Sequence, residues 1–142
     1  MLGCLARHYP MSTISTGTAP RVERLLVHFK VRQHFKAVVG AQTTPRMKPH
    51  PEPLRYAAAA MGVDPSECLM IGDTPVDIAT GLAAGAQTVG VLCGFGTMEE
   101  LRAAGAHMIL PTTSDLMMLL RPSEDPLGEW AVPHATSIEQ AL

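Results

Sequence analysis

The sequence is poor in aromatic residues and cysteine, and it has no large excess of charge of either sign. Aromatic residues make up 4% of its 142 residues, so a hydrophobic core must be built from Ala, Leu, Val, Ile and Met. The three cysteines, Cys4, Cys68 and Cys93, are scattered and form neither a disulfide framework nor a Cys-x-x-Cys metal pair. We therefore expect a reducing, cytoplasmic location.

Other absences exclude classes of partner. Eleven basic and thirteen acidic residues give a net charge of −2, whereas a nucleic-acid-binding module usually carries a basic excess. No run approaches the roughly 18 apolar residues of a membrane span. The first ten residues lack the basic start and the long apolar stretch of a secretory signal. We expect no nucleic-acid partner and no membrane partner.

Hydrophobic residues make up 46% of the chain, enough to bury the core of one domain. Short apolar runs alternate with amphipathic stretches, which predicts strands separated by helices. The predicted strands cover residues 11–16, 35–39, 67–71, 87–92 and 107–110. The predicted helices cover residues 20–29, 54–61, 74–84, 98–104 and 113–120. This alternation indicates an α/β fold with a doubly wound, Rossmann-like parallel sheet.

Apolar runs without polar alternation are typical of parallel strands that are buried on both faces. We therefore expect seven residues on central strands to be nearly fully buried: Ile14, Val38, Val39, Leu69, Ile71, Val89 and Val91. The core domain is predicted to cover residues 1–121. Residues 122–142 differ in character, with three prolines, mixed charge and the only tryptophan, and we interpret them as a tail or a loosely docked segment.

The segment Gly72-Asp73-Thr74-Pro75-Val76-Asp77 follows an apolar strand and begins a helix. In an open parallel sheet, ligands bind beyond the carboxyl ends of the strands, so Asp73 is predicted to lie where ligands bind. Asp77 lies four residues later and can face the same direction across the first helical turn. Two such carboxylates are suitable ligands for Mg²⁺. Alternatively, Asp73 or Thr74 caps the helix and Asp77 interacts with its dipole.

Two further segments contain groups that can bind an anion. Lys48 lies in a loop stiffened by prolines, where it could neutralise a phosphate or a carboxylate, although it could also be an ordinary solvated lysine. Ser15, Thr16 and Gly17 lie between a strand and a helix, where hydroxyl and N–H groups can form an anion site or a plain helix cap. By contrast, Gly94-Phe95-Gly96 lacks the third glycine of a dinucleotide-binding pattern, and we interpret it as a turn.

Together, and in this order, the three segments resemble the motifs of the haloacid dehalogenase superfamily, in its phosphoglycolate phosphatase-like branch. The resemblance covers about residues 1–120. The three matching motifs are Ile14-Ser15-Thr16-Gly17, Lys48-Pro49-His50-Pro51 and Gly72-Asp73-Thr74-Pro75-Val76-Asp77.

This resemblance implies a phosphohydrolase that acts on small phosphate monoesters through an aspartyl-phosphate intermediate, with Mg²⁺ as cofactor. It implies that the phosphate is bound at the end of the first strand, by Ser15, Thr16 and Gly17. It also implies that Lys48 is a catalytic residue that holds the phosphate, and that Asp73 and Asp77 bind the metal.

The chain departs from this family in two respects. The first motif, Asp-x-Asp-Gly-Thr, is absent, since no two aspartates are two residues apart, and the helical cap that selects the substrate is absent as well. The sequence thus resembles the carboxyl-terminal part of a phosphatase, and we expect it to be inactive alone. Two interpretations remain open: a truncated phosphatase, or a non-catalytic remnant that serves as a binding or assembly module. Either could pair with another chain to complete the sheet.

Overall fold

The structure, a computed structural model, describes residues 1–120, in which strands and helices alternate along the chain. The strands are β1 (Ser12–Thr18), β2 (Ala37–Ala41), β3 (Leu69–Gly72), β4 (Gln87–Val91) and β5 (Met108–Leu110). The helices are α1 (Leu2–Leu5), α2 (Ala19–His28), α3 (Glu52–Met61), α4 (Pro75–Ala83), α5 (Met98–Ala103) and α6 (Leu116–Leu119). This alternation confirms the predicted α/β fold class. In this part of the chain, no helix is long and apolar enough to cross a membrane.

The strands form two small parallel sheets. One contains β1 and β2, with Ser12 opposite Ala37, and the other contains β3, β4 and β5 in that order. Within the described residues, β1 and β3 therefore each have only one strand neighbour. The incomplete sheet predicted from the sequence is thus divided into two parts.

Two strands begin later than predicted, because a hydrogen-bonded turn precedes each of them. Residues 35–39 were predicted as a strand, but β2 begins at Ala37, because a 3₁₀ turn at Arg32–His34 precedes it and the Arg32 guanidinium donates to the Phe35 carbonyl. Residues 67–71 were likewise predicted as a strand, but β3 begins at Leu69. There a capping box formed by Asp64 and Glu67 closes a 3₁₀ turn over Pro65–Glu67.

The helix ends follow the sequence signals. The alanine-rich helix α3 ends at Gly62, whose φ of 73° lies in the left-handed region that glycine adopts easily. The helices α4 and α5 begin with capping boxes, formed by Thr74 with Asp77 and by Thr97 with Glu100. The hydrogen bonds from Thr97 hold the pKa of Glu100 below its ordinary value.

The core prediction is confirmed for three of the seven residues. Val39, Val89 and Val91 are each at most 4% exposed. Ile14, Val38 and Leu69 are half-buried, so the prediction of nearly full burial is wrong for them. Ile71 is 36% exposed, so its predicted burial is wrong as well. Ile71 lies on the edge strand β3 and lines the cleft between the two sheets, where no strand among residues 1–120 covers it.

Helix α4 offers a matched test of this packing. Ile78 is 0% exposed, while Leu82, on the same helix, is 38% exposed. We expect Ile78→Ala to lower the free energy of unfolding by about 2–5 kcal/mol, because it leaves a cavity in the core. Leu82→Ala is expected to lower it by roughly 1 kcal/mol or less. Urea denaturation measures both values, and equal losses would contradict the packing described.

Candidate functional site

A cleft of about 530 Å³ lies between the carboxyl ends of β1 and β3. One wall comes from β1, the other from β3 and the start of α4, and a loop residue after β4 completes the rim. The lining residues are Ile14, Ser15, Thr16, Lys48, Ile71, Gly72, Asp73, Thr74, Val76, Asp77 and Phe95. The structure therefore brings the three predicted segments together, although they are far apart in the sequence.

Lys48 lines this cleft and contacts both β1 and α4. Its Nζ donates to Asp77 Oδ1 at 2.5 Å and to the backbone carbonyl of Ile14, on β1, at 3.4 Å. The two charged side chains are largely buried, with 11% of the Lys48 side chain and 7% of the Asp77 side chain exposed. The proline-rich loop thus directs the lysine into the site, and the interpretation as a solvated surface lysine is wrong.

Both carboxylate oxygens of Asp77 have partners. While Oδ1 accepts from Lys48, Oδ2 accepts from the Thr74 N–H at 3.1 Å and from the Thr74 hydroxyl at 2.8 Å. Gly72 permits this close packing, since a Cβ there would lie 2.2 Å from the Asp77 Cβ. The assignment of Asp77 to a metal stays a prediction. In this geometry Oδ1 accepts a single hydrogen bond, from the Lys48 ammonium, whose positive charge would repel a cation bound at the same oxygen.

Asp73 is held by the loop that follows β4. Its Oδ2 accepts from the Phe95 N–H at 2.9 Å, and its carbonyl accepts from the Gly96 N–H at 2.8 Å. A Cβ on Gly94 would lie 2.0 Å from Asp73 Oδ2, and one on Gly96 would lie 2.3 Å from the Asp73 carbonyl oxygen. Both glycines are therefore needed for the loop to approach the aspartate.

Sequence reasoning missed this loop as part of the site, because it was interpreted only as a turn. The available signal was its position: Gly94 and Gly96 follow a buried strand at the edge of the sheet where ligands bind. Phe95, between them, is 93% exposed at the mouth of the cleft. Its backbone contacts Asp73 while its ring faces solvent.

Of the three β1 residues predicted to bind phosphate, two line the cleft and one does not. Ser15 and Thr16 line the cleft at the carboxyl-terminal part of β1. Gly17 is not among the lining residues, and its N–H donates to Ser15 Oγ at 3.1 Å. A phosphate role for these three residues stays a prediction, and Ser15 and Thr16 are the better placed for it.

The described residues supply only part of a Mg²⁺ site. Within residues 1–120, the carboxylates that line the cleft are Asp73 and Asp77, and the oxygens of Asp77 already have hydrogen-bond partners. Asp73 Oδ1 has no hydrogen bond within residues 1–120 and is a hard oxygen of the kind that Mg²⁺ prefers. Nowhere in this range do three His, Cys, Asp or Glu side chains cluster as a metal site. The carboxylate chemistry fits the metal, and most of its coordination would fall to water or to further groups.

Comparison with known proteins identifies the family. Residues 1–91 match the family model described as haloacid dehalogenase-like hydrolase. This chain belongs to that family. The resemblance seen in the sequence motifs is therefore confirmed.

Several relatives of this family member are phosphoglycolate phosphatases. The enzyme of Escherichia coli strain K12 is 32% identical over 120 residues, which cover 84% of this chain and 48% of the relative. The one of Haemophilus influenzae is 29% identical over 112 residues, covering 79% of this chain and 50% of the relative. The chain thus spans about half the length of these relatives.

A solved structure agrees with this comparison. The crystal structure of a predicted phosphoglycolate phosphatase from Haemophilus somnus 129PT superposes with a TM-score of 0.78 at 26% identity, covering 84% of this chain and 54% of the other. The incomplete fold is therefore that of a haloacid dehalogenase-like core.

The Lys48–Asp77 pair provides a test of how the cleft is held. Removing either partner leaves a largely buried charge unpaired, so Lys48→Met and Asp77→Asn should each lower the free energy of unfolding by about 3 kcal/mol. The double variant should be more stable than the sum of the two losses predicts. Chemical denaturation of the four proteins gives the coupling energy.

The matched control is the Arg32–Glu23 pair, whose side chains are 33% and 42% exposed. Solvent screens such a pair, and its coupling energy should be at most about 1 kcal/mol. A coupling at Lys48–Asp77 no larger than this control would show that the ion pair does not hold the cleft.

Proposed function

We propose that this chain is the phosphate-binding part of a phosphatase that acts on small phosphate monoesters, of the phosphoglycolate type. The observation that carries the proposal is the convergence of Ser15, Lys48 and Asp73 on one cleft. The family assignment and the phosphoglycolate phosphatase relatives support the same reaction and substrate class. A phosphorylated small molecule is the expected ligand.

The proposed roles follow from the chemistry of each group. The hydroxyls of Ser15 and Thr16 can donate hydrogen bonds to phosphoryl oxygens at the end of β1. The Lys48 ammonium can neutralise the phosphoryl charge in the cleft. Lys48 would then exchange part of its contact with Asp77 for a contact with the phosphate.

The described residues of this chain supply no free carboxylate as the nucleophile. The proposed reaction needs an aspartate carboxylate to attack phosphorus, break the bond to the ester oxygen and form an aspartyl-phosphate, which water then hydrolyses. Asp77 is paired with Lys48 and Thr74, and Asp73 is tied to the loop after β4. No other carboxylate lines the cleft within residues 1–120.

The purified 142-residue chain is therefore expected not to hydrolyse phosphate monoesters, even with excess Mg²⁺. Loss of a nucleophile costs on the order of a million-fold in rate in a well-studied hydrolase. Phosphate release from a broad panel of monoesters measures the activity. Turnover that both Asp73→Asn and Lys48→Ala abolish would show that the chain is catalytic alone.

Mg²⁺ is proposed as the cofactor of the complete site, with Asp73 as its ligand in this chain. Because one available carboxylate leaves most of the coordination to water, the isolated chain should bind Mg²⁺ only weakly. Calorimetry should show weak binding that Asp73→Asn removes and that Asp64→Asn, on an exposed turn outside the cleft, leaves unchanged. Tight stoichiometric binding that survives Asp73→Asn would contradict this assignment.

A second candidate function is a non-catalytic module that pairs with another chain. The observation that favours it is the pair of edge strands, β1 and β3, that border the cleft without a strand between them in the described residues. Unpaired N–H and C=O groups on such edges can accept an added strand.

A synthetic peptide can separate the two candidates. It would carry an apolar strand that ends in Asp-x-Asp-Gly-Thr, and a control peptide would carry Asn in place of both aspartates. Turnover that appears with the first peptide only, and is lost in Lys48→Ala, would support the phosphatase. Equal binding of both peptides without turnover would support the module.

A further inference from the structure

One flank of helix α2 combines exposed apolar and basic side chains. Arg21, Leu25, His28 and Phe29 follow the helical spacing that places residues on one side, and we call them the α2 flank. Leu25 is 49% exposed and Phe29 is 67% exposed. The His28 ring meets the Phe29 ring edge-on, with their centroids 5.1 Å apart.

This flank takes little part in the packing of the described chain. Helix α2 contacts β1 and β2, and Val22 and Leu26, on another side of the helix, are half-buried. No residue of α2 is fully buried. Adjacent exposed apolar side chains of this kind are typical of a surface that something covers.

Charge favours one occupant of the flank, residues 122–142 of the same chain. Residues 19–36 contain five lysine or arginine side chains and one acidic side chain, Glu23. Residues 122–142 contain four acidic side chains and no lysine or arginine, together with the apolar residues Leu127, Trp130, Val132 and Ile138. The two segments are complementary both in charge and in apolar content.

The position of Leu120 makes this contact reachable. The Tyr9 hydroxyl donates to the Leu120 carbonyl at 3.5 Å, so the described chain ends beside the amino-terminal edge of β1. Helix α2 starts at the carboxyl end of β1 and leads back to the start of β2. Phe29, at the end of α2, is therefore near the amino-terminal end of β1, where Leu120 lies. Trp130 is ten residues beyond Leu120, and ten residue steps can span up to about 33 Å, while α2 is only about 15 Å long.

We propose that residues 122–142 bind the α2 flank, with Trp130 against Leu25 and Phe29 and with acidic side chains beside Arg21. The association is intramolecular. A tether of this length gives an effective concentration on the order of millimolar, so even a modest intrinsic affinity is sufficient. This proposal does not depend on the phosphatase assignment.

Trp130 is the only tryptophan in the chain, so its fluorescence reports the contact directly. In the full chain we expect blue-shifted emission and acrylamide quenching at least twofold weaker than in a peptide of residues 122–142. Both values should be independent of protein concentration. In the variant Leu25→Glu/Phe29→Glu, the emission wavelength and the acrylamide quenching should equal those of the peptide.

Val27 supplies the matched control. It is 58% exposed but lies on the opposite side of α2 from Leu25, so Val27→Glu should leave the Trp130 signal unchanged. Arg21→Glu removes no apolar contact and should still increase the quenching. Circular dichroism shows whether each variant retains its helices.

Several outcomes would overturn the proposal. Peptide-like fluorescence in the full chain would show that Trp130 is not covered. A protected Trp130 that neither Leu25→Glu/Phe29→Glu nor Arg21→Glu affects would place the segment elsewhere. Protection that grows with protein concentration would show that it binds a second copy instead.

Discussion

The candidate site depends on one ion pair, between Lys48 and Asp77. Lys48 contacts the Ile14 carbonyl on β1 of one sheet and Asp77 on α4, a helix that packs on β3 and β4 of the other sheet. Within residues 1–120, no strand pairing joins those sheets. In the proposed function the lysine therefore combines two roles that usually oppose each other, since it supports the architecture and would also be the cation offered to a phosphate.

The glycines of the site make the close packing around the two aspartates possible. Asp77 can reach Lys48 and Thr74 only because Gly72 leaves room for its side chain. Asp73 is fixed from the other side by the loop of Gly94 and Gly96, which a Cβ at either position would push away. Each carboxylate is thus held in place by backbone that approaches it closely, and the two aspartates have different partners and different freedom to bind a ligand.

Local patterns in the sequence predicted the fold class, most of the element bounds and the three segments that line the cleft. Gly62 illustrates why, since its role as the end of α3 depends only on its neighbours in the chain. The exposure of Ile71 could not be predicted in this way, because it depends on which strand lies beside β3. The loop of Phe95 was missed for a related reason: its contact is with Asp73, 22 residues earlier, and spacing within the loop does not indicate it.

The central claim is that the cleft around Lys48 binds phosphoryl groups. Titration of the ¹⁵N-labelled chain with inorganic phosphate, followed by amide chemical shifts, tests it directly. The account predicts shifts confined to Ser15, Thr16, Lys48 and Thr74, all of which disappear in Lys48→Ala. Shifts that instead follow the basic residues of α2, such as Arg21 and Arg24, or that persist in Lys48→Ala, would contradict it.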